Sequence, residues 1–344
     1  MIPLSILDLA PVVEGADVRT AFGNAAALAQ AGERLGYERF WLAEHHGMAG
    51  IASAATSVVI GHVAAATTTI RVGAGGIMLP NHAPLLIAEQ FGTLDALHPG
   101  RIDLGLGRAP GSDGVVAQAM KRGARAAAER FPDDVAELLA YFGGTGPVAA
   151  VPGQGADVPV WILGSSLYGA QVAAHFGLPY AFASHFAPAA LDQALTLYRE
   201  RFQPSAYLDR PHAMVAMNVI AADTDAEAQY LATSLLQAFV NLATGRPGRL
   251  PRPVEDYERT LPAEARARLA QTLAISAIGS AETVAAATEA VIERTGADEL
   301  ILAANIHDFD KRVRSYEIAA AALMNRAEVQ AERPVERPAG RQAA

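Results

Sequence analysis

Residues able to do chemistry concentrate between Arg71 and Asp113, RVGAGGIMLPNHAPLLIAEQFGTLDALHPGRIDLGLGRAPGSD. An apolar run of β character loses its side chains there at Gly73, Gly75 and Gly76. A helical segment, LLIAEQFGTLDAL, follows, and a second β-run, RIDLGLG, delivers Arg108. Glycine at the end of a strand lets a flat ligand or another backbone come close, because no Cβ intervenes. A planar guanidinium where the next strand stops suits a phosphate or carboxylate. The stretch reads as a site for a flat ligand that carries an anion.

Further candidates follow other apolar runs. Glu44-His45-His46 closes ERFWLAEHH, and neighbours in extended chain point to opposite faces, so His45 and His46 are poorly placed to ligate one metal; no metal site is expected. A histidine facing a pocket suits proton transfer, with Glu44 beside it as an orienting group. Packing under a loop would account for the pair equally well. Gly164-Ser165-Ser166 follows VPVWIL and opens a helix, which turns backbone N–H groups toward an anion. An ordinary serine N-cap explains the same three residues. Asp8, Ser184-His185 and Asn305 also stand at run ends. His82 in PNHAP and His98 in LHPG look like turn chemistry, and Trp161 reads as interior filling.

The elements that must position these residues alternate. Strand candidates are Leu4–Leu9, Glu38–Leu42, Thr68–Met78, Arg101–Gly107, Val158–Leu163, Tyr180–Ala183, His212–Ala221 and Glu299–Ala304. Helical spacing follows them at Thr20–Gly36, Ser53–Thr67, the LLIAEQFGTLDAL segment, Ala117–Tyr141, the segment opened by GSSLYG, Pro188–Phe202, Asp223–Asn241 and Asp310–Asn325. Thr224 and Glu227 have the spacing of a capping box. Strand–helix alternation predicts parallel strands joined by right-handed crossovers, and eight units close a (β/α)8 TIM barrel. Residues at the C-terminal ends of the strands then share one mouth. The Pro- and Gly-rich stretch Thr244–Arg259 reads as an insertion over that mouth. Residues 1–326 are assigned to the barrel, and the charged, Pro-containing 327–344 to a disordered tail.

Composition excludes several classes. The 344-residue chain has no cysteine, which removes disulfides and thiolate chemistry, and fits a cytoplasmic setting. A net charge of −9 argues against a general nucleic-acid binder. Apolar runs are too short for a membrane span, and the first residues lack the pattern of an export signal.

The segments PLSILDLAP, WLAEHHG, the central block from Val72 to Asp113, WILGSSLYGAQVAAHFG and ELILAANIHD resemble the luciferase-like flavin-dependent oxidoreductases. The resemblance implies a β/α barrel with FMN at the strand C-terminal ends. His45 matches the family histidine that works beside the flavin, Gly75-Gly76 a non-prolyl cis peptide against the isoalloxazine, and Arg108 the phosphate-binding arginine. Gly164, Ser165 and Ser166 match the loop that completes the phosphate site. Where the luciferase subunit that binds flavin has a reactive cysteine, this chain has Gly107, which argues against light emission. The implied activity is an FMN-dependent monooxygenase acting on a small organic substrate with O2, with reduced FMN from a separate NAD(P)H:flavin reductase. No GxGxxG follows a strand to supply a nicotinamide site in the chain itself. Related barrels use F420 for hydride transfer, and a non-catalytic flavin-binding protein of this fold is a third reading. Family members are often dimers, and the Ala-rich segment Ser53–Thr67 is a candidate homodimer surface.

Overall fold

The computed structural model describes residues 2–108, 119 and 128–324. Its strands are β1 (Leu4–Asp8), β2 (Arg39–Leu42), β3 (Arg71–Met78), β4 (Ile102–Gly107), β5 (Val160–Gly164), β6 (Tyr180–Phe182), β7 (Ala213–Ala221), β8 (Ser276–Gly279) and β9 (Glu299–Ala303). The sheet order is β6-β5-β4-β3-β2-β1-β9-β7-β8, and β6 also pairs with β7, which closes a ring of eight parallel strands. The eight expected strands form that ring, a TIM barrel with surrounding helices. β8 was not expected. It pairs in parallel with Asn218–Ala221, where β7 runs on past the three residues of β6. Four residues of mixed character between two helices carry too little alternation to stand out from a loop.

Around the ring lie α1 (Val18–Leu35), α2 (Thr56–Ala66), α3 (Pro84–Leu97), α4 (Phe131–Phe142), α5 (Leu167–Phe176), α6 (Leu191–Arg201), α7 (Asp225–Ala243), α8 (Tyr257–Thr260), α9 (Ala263–Thr272), α10 (Ala281–Thr295) and α11 (Phe309–Met324). Local chemistry sets their ends. The Asp17 carboxylate accepts the Thr20 N–H at 2.8 Å and Gly36 closes α1 at φ 85°, a left-handed cap that glycine adopts without strain. The capping box at α7 forms, with the Thr224 hydroxyl accepting the Glu227 N–H at 3.2 Å. The helix expected over Ala117–Tyr141 is seen as α4 at its C-terminal end, while its beginning and the tail from 325 lie outside the described residues. α9 and α10 were not expected from the sequence.

Alternation along the strands separates two cores. Phe40, Leu42, Val72, Leu104, Ile162 and Leu302 pack outward in the large core beneath the helices. Leu7, Trp41, Trp161, Met214 and Ile301 fill the barrel. Below them, at the N-terminal ends, Asp103 accepts from Arg39 Nη1 (2.9 Å), Arg71 Nη2 (2.6 Å) and Trp41 Nε1 (3.0 Å), and Glu299 accepts from Arg39 Nε (3.0 Å). At the opposite end the inward positions are small: Ala43, Gly75, Gly107, Ala216 and Ala303. Charged groups thus seal the bottom, and missing side chains open the top.

The Thr244–Arg259 stretch lies along the loops that follow β1 and β2. Leu250 bridges to Val13, and the Arg249 guanidinium donates to the Ala16 carbonyl at 3.0 Å. A Cβ on Gly50 would stand 2.1 Å from the Gly248 carbonyl oxygen, so these two backbones meet where no side chain fits. The insertion is therefore part of the mouth's rim.

Candidate active site

Glu44 is the most heavily ligated carboxylate of the mouth. Its side chain, 1% exposed, lies 2.7 Å from His46 Nε2 and 3.0 Å from His82 Nε2. It also accepts the Met78 N–H at 2.9 Å and Asn81 Nδ2 at 3.2 Å. Burial pushes this carboxyl's pKa up, but the hydrogen bond and charge of His82, the hydrogen bond of His46 and the Met78 N–H outweigh it and hold the pKa below the ordinary value. Glu44 therefore pins the loop after β2 to the loop after β3. His46, not His45, takes the carboxylate, and His82 belongs to this cluster rather than to a turn.

With His46 engaged below, His45 is half-buried at the mouth. β2 and β6 stand four strands apart in a ring of eight, so the loops that follow them face each other across the axis. His45 and His185 come from those two loops. Burial first, and then the charge of His45, pushes the His185 pKa down to about 4, so its imidazole is neutral at ordinary pH. Two histidines from opposite strands thus meet over the opening.

The peptide between Gly75 and Gly76 is cis. A Cβ on Gly76 would stand 2.6 Å from the Gly105 carbonyl oxygen, and one on Gly75 would stand 2.9 Å from Leu7 Cδ1. Neighbouring strands therefore demand these glycines, and the half-exposed Gly75 main chain is left facing the mouth.

Arg108 and the Gly164-Ser165-Ser166 loop share one rim, because β4 and β5 pair with Gly107 opposite Leu163. The Arg108 guanidinium carbon lies 4.1 Å from the ring centroid of Tyr168, in the first turn of α5. Among the described residues no carboxylate pairs with Arg108. Ser166 caps α5 in extended conformation, yet its hydroxyl makes no cap bond and the first turn holds no acidic residue. A Cβ on Gly164 would come no closer than 3.4 Å to any neighbour, Gly169 Cα being the nearest, so this glycine is not forced by packing. A cation with no counter-charge, an uncapped helix start and two hydroxyls converge where an anion would sit.

Two other strand-end residues, Asp8 and Ser184, are engaged away from the mouth. Asp8 lies at an outward position and pairs with buried Arg312 of α11 at 2.9 Å. The Ser184 hydroxyl donates to the Ala216 carbonyl. Asn305 is half-buried just beyond β9. Conversely, Asn218, unnoticed within HAMVAMNVIA, occupies an inward position of β7 and is fully buried. A single amide in an otherwise apolar strand was the available signal. Among the described residues no group of three or more His, Cys, Asp or Glu is placed to hold a metal.

The fold is a (β/α)8 barrel whose open end carries Arg108 and the Gly164-Ser165-Ser166 loop on one rim, with Gly75-Gly76 and the loops bearing His45 and His185 around it. Residues 4–299 match the family model for luciferase-like monooxygenases. A luciferase-like monooxygenase of Escherichia coli (strain K12) is 51% identical over 321 residues, which span 92% of this chain and 96% of that protein. The crystal structure of apo-MsnO8 superposes with a TM-score of 0.83 at 33% identity, covering 94% of this chain and 98% of that one. The fold is shared with the FMN complex of the oxygenating constituent of a diketocamphane monooxygenase from Pseudomonas putida (TM-score 0.66, 17% identity, covering 94% of this chain and 98% of that one). It is shared equally with an F420-dependent secondary alcohol dehydrogenase (TM-score 0.67, 15% identity, covering 94% of this chain and 99% of that one). The chain belongs to the luciferase-like monooxygenase family.

Proposed function

We propose that this enzyme is an FMN-dependent monooxygenase acting on a small organic substrate. The observation that carries the reading is Arg108, stacked on Tyr168 with no carboxylate partner among the described residues, beside the uncapped start of α5. One strand away, the main chain at half-exposed Gly75, followed by buried Gly76, offers a bare wall to a flat ring. Arg108 and the Gly164-Ser165-Ser166 loop would hold the phosphate, and Gly75-Gly76 would flank the ring. Reduced FMN, when bound, supplies the electrons that activate O2. His45 stands where it can hold or deliver a proton beside the ring. The chain carries no nicotinamide motif, so a separate NAD(P)H:flavin reductase is the matching partner. The reading also places the enzyme in the cytoplasm and pairs two copies through α2, where Val58 is 71% exposed.

Flavin fluorescence titration tests the cradle directly. Arg108→Ala is expected to weaken FMN binding roughly 10- to 100-fold, the worth of a charge-assisted hydrogen-bond pair, and to leave riboflavin binding unchanged. His45→Ala should keep FMN affinity and lower O2-dependent turnover by roughly 10²- to 10⁴-fold. Binding of F420 in preference to FMN would shift the reading to hydride transfer. Tight FMN binding with no turnover difference between wild type and His45→Ala would leave a non-catalytic flavin carrier.

A further inference from the structure

Asn218 and His185 present two buried polar atoms that nothing in the barrel satisfies. The Asn218 amide donates from Nδ2 to the His185 carbonyl at 2.6 Å and to Ser276 Oγ at 3.2 Å. A carbonyl only accepts, so this bond fixes which way the amide points and leaves Oδ1 as a free acceptor. Asn218 Oδ1 and His185 Nδ1 are both enclosed and lack a hydrogen-bond partner. Buried polar groups are normally paired, so two orphans on directly bonded residues call for an explanation.

The surroundings say what could pair them. Asn218 follows Met214 and Ala216 on the inward face of β7, and lies opposite Ala303 of β9. His185 enters from the far side of the anion cradle's neighbour β5, with His45 the nearest charge that bears on it. Among the described residues no carboxylate pairs with either orphan atom, and a neutral imidazole can donate or accept at Nδ1 by choice of tautomer.

We infer that Asn218 and His185 form the polar end of the substrate cleft, and that they select a neutral hydroxyl or amide group on an otherwise apolar substrate. The inference deepens the oxygenase reading, which assigns the cradle and the glycine wall to the cofactor and leaves this side of the mouth for the substrate. Ser276 belongs to β8, so the extra strand acquires a role: it holds the Asn218 amide in the orientation that leaves Oδ1 unpaired.

Trp41 and Trp161 are the chain's two tryptophans, and both line the barrel interior beneath the mouth, which provides a built-in reporter. Benzamide, benzyl alcohol and toluene share a ring and differ in their polar group. Titrated into the full-length protein and followed by tryptophan emission, benzamide and benzyl alcohol should lose roughly 10-fold in affinity relative to toluene when Asn218→Leu removes the acceptor. His185→Phe, on a partly exposed loop, should reduce the same ratio independently of any folding defect in Asn218→Leu. In wild type, benzamide but not toluene should move the His185 imidazole 15N signals. An unchanged ratio in both variants, or 15N signals that toluene moves equally, overturns the inference. If saturating FMN abolishes benzamide binding, the pair serves the flavin and the substrate assignment falls. FMN affinity is read in a separate titration, so loss of the oxygenase reading would be seen without disturbing the probe ratio.

Discussion

Glu44 shows how one buried carboxylate can tie two loops of the barrel mouth together. Four donors from two loops converge on it, so Glu44→Ala removes an acceptor shared by two imidazoles, an amide and the Met78 N–H. The expected loss is about 1–3 kcal/mol in urea unfolding, the range for hydrogen bonds to a charged group, because the donors are half-buried and water recovers part of the loss. The pH sign follows from the depressed folded pKa. Glu44's contribution is fully present above the unfolded carboxyl pKa and is lost as pH falls through the lower folded value. Wild type should therefore lose stability on acidification below about pH 4.5 more steeply than Glu44→Ala. The choice between His45 and His46 was legible in the EHH motif only as opposite faces. Which face met Glu44 depended on Asn81 and His82, which are more than thirty residues downstream.

At the scale of elements, the glycines at strand ends separate into two kinds. Gly76 and Gly105 are required by neighbouring main chain, whose carbonyl oxygens would stand 2.6 and 2.3 Å from an added Cβ. Gly76→Ala is expected to cost about 1–3 kcal/mol, the range of an overpacked site, read as a lower urea midpoint. Gly164→Ala adds a methyl at ordinary contact distance and should change the midpoint by less than about 0.5 kcal/mol. The bare strand ends were plain in the amino-acid order, but the reason was not. A glycine freed for a ligand and a glycine forced by the adjacent strand read identically until β3 and β4 are set in register.

Across the whole molecule, the floor of the barrel is held by a buried ion-pair network centred on Asp103. Asp103 is fully buried and answers Arg39, Arg71 and the Trp41 indole at once. Removing it leaves two guanidinium groups without their shared counter-charge. Asp103→Ala is expected to cost about 3–5 kcal/mol, measured by thermal or denaturant unfolding, with FMN affinity of the folded fraction retained because the cradle lies at the other end.

Strand–helix alternation, the glycine-poor and glycine-rich ends of the runs, Arg108 after its strand and the serines before α5 were all set by residue order alone. They amount to a barrel with an arginine and two serines on one rim, since local pattern dictates which segments extend, which coil and where each stops. Closure and curvature decided the rest. They turned Asp8 outward to Arg312, 304 positions away, drew His82 to Glu44, set His185 across the axis from His45, and added β8 behind Asn218. Such pairings join segments remote along the chain, and only the register and ring order of the folded sheet bring their side chains to one place.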